Sequence, residues 1–323
     1  MVIMTKNFSV IIPLYNKGQY IARAIKSVLN QTIQDFEIIV IEGGSEDNGP
    51  KIVKDFIDPR IHFLEQSGKG VSNARNEAVH FSKNEYIAFL DADDEWMPHH
   101  LETILRLIEN YPEAGMFTTA YKRQNAEGKI QWAIYKCIPD APWEGLMPDY
   151  FRSGTLGNSP VWTSAVVIPK KIFYEMEGFP EGYWYAEDAD LFGKIALKYP
   201  VAFSWEFGAL YHTEASNRSC IREIPRNYEE PFVKTARAAL LKGDVRPDLV
   251  ESVNEYIAIK EIERAIGNLQ DGNLKTARDI LKQCKTKLHK KEKMKFLILA
   301  TLPNPVRDIG RNVINLVRKK SHK

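Results

Sequence analysis

The apolar positions of this chain follow two rhythms that alternate through its first hundred residues. Residues 9–12, SVII, form an apolar run of strand length. In the following PLYNKGQYIARAIKSVLNQT, Ile21, Ala24, Ile25, Val28 and Leu29 recur at i, i+3, i+4, i+7 and i+8, which is one face of a helix. FEIIVI at 36–41 predicts a second strand, rich in β-branched residues, and a polar turn, EGGSEDNGP, follows it. A helix over 50–57, a short strand at 61–65, a helix over 70–82 and a strand at 86–90 complete this part. Strands alternating with helices predict an α/β fold, with a mostly parallel sheet flanked by helices.

Beyond residue 96 the pattern is less regular. Pro98 opens a helix that runs to Asn110, and residues 114–121 suit a strand. Residues 125–160 are rich in Gly, Pro and aromatics and read as long loops. SAVVIP at 164–169 predicts a strand. Residues 186–199 predict a helix with Leu191, Ile195, Ala196 and Tyr199 on one face. From 226 the composition turns helical and charged, with two helices joined at QDGN, which suits an antiparallel pair. The expected organisation is an α/β domain over 1–225, with halves near 1–96 and 97–225, then a C-terminal helical region over 226–323.

The length of 323 residues fits two domains, and 44% apolar residues suffice for a core. Cys137, Cys220 and Cys284 lie far apart, with no CxxC pair, which argues for a reducing compartment and against zinc. The first apolar run is short and interrupted by Lys6 and Asn7, so no signal peptide is read. FLILATL at 296–302 is too short to span a bilayer. A cytoplasmic location follows as the expectation.

Charge changes this picture at one end. The chain carries +2 overall, but residues 282–323 hold thirteen Lys or Arg against Glu292 and Asp308. In that tail Ile309, Val313, Ile314 and Val317 share a helix face, with Arg307, Arg311 and Arg318 elsewhere. Such a helix suits peripheral contact with an anionic membrane through 290–323. The alternative is packing on the protein's own core or on a partner copy. Nucleic acid ranks third, because the tail shows no known binding module.

Open α/β sheets bind ligands outside the carboxyl ends of their strands. Three polar groups occupy such ends here: Tyr15 with Asn16, Glu42, and Asp91, Asp93 and Asp94. Like charges this close repel unless something holds them together. One reading of DADD is a solvated turn in which Asp94 caps the next helix. The other is a hard oxygen site for Mn²⁺ or Mg²⁺ built from Asp91 and Asp93 with phosphate oxygens and water.

SVIIPLYNKGQYIARAIKSVLNQT, FEIIVIEGGSED, GVSNARNEAV and YIAFLDADDEW follow one another in the order and spacing of family 2 glycosyltransferases. MEGFPEGYWYAEDADLFGKIA continues the pattern, so the resemblance covers residues 8–220. It implies a GT-A fold, which is Rossmann-like, and an inverting transfer of sugar from a nucleoside diphosphate sugar. The donor it implies is a UDP-sugar first and a GDP-sugar second; the acceptor is a glycan or a lipid-linked molecule.

The resemblance also implies roles. Pro13 and Tyr15 would line the base, Asp91 would sit near ribose and metal with Ala92 beside it, Asp93 would ligate the metal, and Asp188 would be the general base. The family usually has two Asp where this chain has Glu42 and Gly43, so base contact passes to Glu42 or Asp47. Arg75 is either helix surface or part of the site, and Lys69 and Ser72 are candidates for the diphosphate. Asp188 also has a local reading, as a carboxylate at a helix start. Trp162, Tyr183, Trp184 and Tyr185 suit sugar stacking or core packing. His212, in YHTEASNRS, either completes a metal site or is an ordinary loop histidine.

The expected function is a metal-dependent, membrane-associated glycosyltransferase of bacterial type, acting in surface polysaccharide or glycan synthesis, with a homo-oligomer allowed. One rival is a non-catalytic nucleotide-sugar-binding protein, which Gly43 and the altered 211–219 loop favour. A sugar nucleotidylyltransferase would need a glycine-rich basic loop near the N-terminus, which PLYNKGQY does not supply.

Overall fold

The computed structural model describes residues 7–215 and 228–302. The chain divides into two compact units, Met1–Arg222 and Glu223–Lys323.

The first unit runs β1 (Phe8–Leu14), α1 (Ile21–Leu29), β2 (Phe36–Glu42), α2 (Gly49–Lys54), β3 (Ile61–Glu65), α3 (Val71–Phe81) and β4 (Tyr86–Phe89). It continues with β5 (Glu95–Trp96), α4 (His100–Asn110), β6 (Met116–Gln124), β7 (Ile130–Trp132), β8 (Glu144–Leu146) and α5 (Tyr150–Leu156). It ends with β9 (Val166–Pro169), α6 (Lys170–Glu175), α7 (Glu187–Lys198) and β10 (Val201–His212). One sheet takes the order β3-β2-β1-β4-β9-β6-β10-β5, with β7 on β6 and β8 on β10.

The strands from β3 to β4 are all parallel, the arrangement their continuous apolar runs predict. Val10, Ile11 and Ile12 on β1 and Ile38 to Ile41 on β2 are buried, because helices cover both faces. Ile21, Ala24, Ile25 and Val28 are the buried face of α1, as their spacing predicts. β9 departs from the parallel pattern: it lies antiparallel to both β4 and β6. The strand expected over 164–169 is shorter, because Thr163–Ala165 form a 3-10 turn before it.

The stretch 125–160, expected as loops, holds β7, β8 and α5. These elements are three to seven residues long, too short for a readable period; β7 closes a hairpin on β6, and β8 forms by pairing with the distant β10.

The second unit holds α8 (Pro231–Lys242), α9 (Val250–Gln270), α10 (Leu274–Gln283) and α11 (Lys290–Thr301). Gly272, at φ 82°, turns α9 into α10, a conformation that suits glycine. Ile262, Ala265, Leu269, Ala277, Leu281 and Phe296 form its apolar core. Among the described residues no helix is long and apolar enough to cross a membrane. The basic helix expected around 307–318 lies outside the described residues.

Candidate functional site

Parallel pairing of β1, β2 and β4 brings their carboxyl ends to one edge of the sheet. Asn16 follows β1 with φ 51°, a left-handed conformation that Asn tolerates better than most residues. Its backbone N–H donates to Ser45 Oγ at 2.9 Å, and its side-chain oxygen accepts from Glu46 N at 2.8 Å. Asp47 accepts from Gly18 N at 2.7 Å and Gly49 N at 2.9 Å. The loops after β1 and β2 are thus laced together. Pro13 is half-buried within β1, and Tyr15 is 51% exposed beyond it.

Glu42 accepts from Ser45 N, so both acids named as stand-ins at the base are engaged with loop backbone. Gly43 leaves room that another residue enters: a Cβ there would lie 3.0 Å from Gln66 Oε1. Gln66 was not singled out by the sequence, although it follows β3 on the rung next to Glu42.

After β4 the acidic residues have different surroundings. Asp91 is partly open, and its Oδ1 accepts from Arg75 Nη2 at 2.7 Å. Ala92 between the acids is buried. Asp93 Oδ2 pairs with Lys17 Nζ at 2.7 Å, and its carbonyl accepts from Arg23 Nη2 at 2.6 Å. Burial pushes the Asp93 carboxyl up; the Lys17 ammonium opposes this, and nearby Asp91 adds to it.

Asp94 is fully buried and accepts from Ser164 Oγ at 2.5 Å, Trp162 Nε1 at 3.3 Å and His212 N at 3.2 Å. Burial, then the charges of Asp93 and Asp91, push its carboxyl well above the usual range. Asp94 therefore does not cap the next helix, whose N-cap is His99. It is a buried knot that holds the turn against the 162–164 segment ahead of β9 and against the end of β10.

Arg75 is 4% exposed, which removes the reading of it as helix surface. Its guanidinium lies between Asp91 and Glu187, with Nη1 2.9 Å from Glu187 Oε1, and stands over the Phe179 ring. Two buried-side carboxylates hold Arg75 firmly protonated against the cost of desolvation. Asn76 exchanges two hydrogen bonds with the Phe179 backbone, at 2.9 and 3.0 Å. The ARN triplet thus docks the 179–187 segment onto α3.

Ala186, at φ 58°, turns the chain immediately before α7. Burial, then the neighbouring Asp188 charge, push Glu187 up to about 6, against the pull of Arg75. Asp188 accepts from Thr163 Oγ1 at 3.1 Å and from Ala189 N at 2.8 Å. It therefore bonds a backbone N–H at the helix start, as its local reading expects, and also faces the segment that anchors Asp94. Thr163 and Ser164 were not singled out by the sequence; only the fold sets their hydroxyls beside Asp188 and Asp94.

Lys69 is exposed and makes no hydrogen bond or ion pair among the described residues. The Ser72 hydroxyl is buried without a partner. Trp162 packs against Tyr121 and Tyr211, with centroids 5.5 and 4.5 Å away. Tyr183, Trp184 and Tyr185 are half-buried in the loop before α7.

His212 has a carboxylate at each ring nitrogen, Glu95 at 3.2 Å and Glu214 at 3.3 Å, so neither nitrogen is open to a metal in this arrangement. Among the described residues no three His, Cys, Asp or Glu side chains gather as a metal cage. Asp91 and Asp93 each pair with a cation here, Arg75 and Lys17, through one carboxylate oxygen.

The pattern of the family described as Glycosyl transferase family 2 matches residues 9–176. Glycosyltransferase GlyG of Streptococcus pneumoniae is 27% identical over 209 residues, 62% of this chain and 68% of that protein. The uncharacterized glycosyltransferase YibD of Escherichia coli is 39% identical over 161 residues, 49% of this chain and 43% of that protein. The chain thus spans less than half the length of YibD. The crystal structure of S. aureus TarS 1-349 in complex with UDP-GlcNAc superposes with a TM-score of 0.68 at 16% identity, covering 95% of this chain and 92% of that one. At that identity the likeness is one of fold, a GT-A α/β unit followed by helices. The family match takes in the parallel strands, the acidic turn and Arg75, and on it this chain belongs to glycosyl transferase family 2.

Proposed function

We propose that the protein is an inverting glycosyltransferase that moves a sugar from a nucleoside diphosphate sugar to an acceptor hydroxyl. One observation carries the reading. Arg75 joins Asp91, at the donor end of the sheet, to Glu187, the neighbour of Asp188. Leaving-group and nucleophile chemistry thereby share one buried support.

Tyr15 offers an exposed ring to the base of the donor, beside Pro13. The donor is a UDP-sugar by preference; the TarS complex with UDP-GlcNAc, on the same fold, supports that choice over a GDP-sugar. Asp93 and Asp91 would hold Mn²⁺ or Mg²⁺ with the diphosphate. That ion, when bound, would stabilise charge growing on the departing diphosphate. Lys17 pairs with Asp93 in this structure, so its ammonium is also at hand for phosphate oxygens.

Asp188 takes the proton of the acceptor hydroxyl as that oxygen bonds to C1 of the sugar. The bond from C1 to the diphosphate breaks on the opposite side, and its electron pair leaves with the nucleotide. A single displacement inverts the anomeric centre through an oxocarbenium-like transition state. Thr163 Oγ1 donates to Asp188 and so helps aim the carboxylate.

Synthesis of a surface polysaccharide or similar glycan is the role this reading favours, with a glycan or lipid-linked acceptor. Peripheral membrane contact through 290–323 belongs to it. Met294 and Ile298 are exposed on α11 with Lys291 and Lys295 on the same side, the mixture an interfacial helix needs. Sedimentation of the full chain with anionic liposomes checks that part.

The test of the main reading is calorimetric titration with UDP, GDP and their sugars, with and without Mn²⁺, followed by release of nucleotide in the presence of candidate acceptors. Metal-dependent binding of one nucleotide is the expected result. Failure of every nucleotide to bind would overturn it.

A further inference from the structure

β4 and β6 each lie antiparallel to β9, so they run in the same direction, and the carboxyl end of β6 falls on the side of the sheet that carries the acidic turn. From that end the chain folds back as β7, with Lys122 opposite Trp132 and Gln124 opposite Ile130. Along the returning arm Ala133 and Tyr135 turn inward, and the Tyr135 hydroxyl accepts from Tyr121 N at 3.1 Å. The alternate positions face out: Ile130 is 41% exposed, Trp132 64% and Ile134 62%. Ile134 is held in place, since its N–H donates to Asn158 Oδ1 at 2.7 Å and its carbonyl accepts from Asn158 N at 2.8 Å. The apolar exposure is thus fixed by register.

Positive charge surrounds this row. Residues 122–136 hold Lys122, Arg123, Lys129 and Lys136 against Glu127 alone. Lys129 and Lys136 are exposed. Lys122 Nζ lies 3.8 Å from the Trp132 ring centre and 4.0 Å from that of Phe207, so a cation is held against the exposed indole. Single exposed apolar residues are ordinary, but a contiguous row marks a contact surface. The row is aliphatic on either side of Trp132, and isoleucine offers sugar hydroxyls no hydrogen bond. A second copy of the hairpin would set like charges against each other, which is unfavourable. An anionic lipid surface matches both features: its interface takes Trp and aliphatic side chains, and lysines reach the headgroup phosphates.

We propose that the β6–β7 hairpin docks the protein on an anionic membrane, with Trp132 and its two flanking isoleucines entering the headgroup region. This contact belongs to the first unit and is separate from the one at 290–323. Because the hairpin leaves from the side of the sheet that carries Asp91 and Asp93, docking turns that side toward the lipid. On the glycosyltransferase reading above, this favours a lipid-linked acceptor over a soluble glycan.

The experiment is cosedimentation of the full chain, without nucleotide, with vesicles of phosphatidylcholine alone and of phosphatidylcholine with phosphatidylglycerol. The proteins are wild type, the double variant Trp132→Ser with Ile134→Ser, and the double variant Lys129→Glu with Lys136→Glu. All four positions are exposed, and melting curves establish that each variant is folded. Wild type should bind the anionic vesicles far better than the neutral ones. Each double variant should bind them about tenfold or more weakly, the apolar one through lost burial and the charged one through lost attraction. A polarity-sensitive fluorophore on the exposed Cys137, in a Cys220→Ser background, should shift to the blue on anionic vesicles. Equal vesicle binding by all three proteins, with no fluorophore shift, would assign the contact to the tail and overturn the proposal. Unchanged vesicle binding with loss of transfer to a soluble acceptor in the apolar variant would also overturn it, and make the row a sugar platform. Wild type that binds no vesicle would overturn it and leave the donor site standing, because nucleotide titration tests that site without lipid.

Discussion

Arg75 Nη1 donates to Glu187 Oε1 at 2.9 Å, across 112 residues of sequence. The same guanidinium holds Asp91 at 2.7 Å, so one side chain joins the end of the fourth strand to the start of α7. Cost and gain are both large here. Burying a charge is unfavourable, and two carboxylates around it offset the loss only while both remain.

Removing Arg75 should therefore destabilise the fold. Arg75→Met leaves Glu187 and Asp91 facing each other without a cation, and breaking a buried pair costs roughly 3–5 kcal/mol. Denaturant unfolding of the first unit should show this loss. Arg75→Lys should recover only part, because a single ammonium lacks the two separate, planar donor groups that reach Glu187 and Asp91 here. An Arg75→Met protein as stable as wild type would mean the pair carries no net weight.

Asp188→Asn keeps a side-chain oxygen for Ala189 N and turns an amide N–H toward the Thr163 hydroxyl, which can accept it, but it cannot take a proton. Turnover should fall by on the order of 10² to 10⁴, while UDP binding stays at the wild-type level. Steady-state kinetics beside calorimetry separates the two. Wild-type turnover in this variant would remove Asp188 as the base.

Asp93→Asn should abolish metal-dependent stabilisation by nucleotide. A ligand at 100 times its dissociation constant raises stability by about 2.7 kcal/mol. The wild-type melting temperature should thus climb with UDP and Mn²⁺ together, and the variant should show no added effect of Mn²⁺. The same climb in both proteins would place the metal elsewhere.

His100 is fully buried beside the Trp96 ring, 4.5 Å away, and burial pushes its imidazole down to about 3. The unfolded chain takes up this proton near pH 6.5, and the folded chain only near 3. Acid therefore favours the unfolded chain, and stability from this group is lost as pH falls below 6.5. Relative to His100→Leu, wild type should lose up to about 1.4 kcal/mol for each pH unit between 6 and 4. Unfolding curves of the two proteins across this range test it; parallel pH dependences would show that His100 does not titrate on unfolding.

Much of the first unit is legible along the chain because its signals are local. The run FSVIIPL is buried on both faces, the helix face of Ile21 to Val28 has the right spacing, and YIAFL leads straight into DADD. Each is a property of a few neighbouring residues, so periodicity and turn chemistry suffice to read it. The short strand β8 is not local in this sense, because it forms against the distant β10; β7 is a hairpin on β6, but its three residues are too few to show an alternation.

The candidate site divides along the same line. Asp91, Asp93, Arg75 and Asp188 stand out as residue types in a pattern, and the sequence by itself determined that an acidic turn ends a buried strand. Only the tertiary structure decided what each does. It made Asp94 a buried knot rather than a helix cap, put carboxylates on both nitrogens of His212, and engaged Glu42 with its own turn. It also brought in Thr163, Ser164 and Gln66, ordinary polar residues whose hydrogen-bonding groups gain meaning from what they face. The reason is physical: a side chain's type is written in the chain, but its partners are set by strand register and by packing across tens of residues.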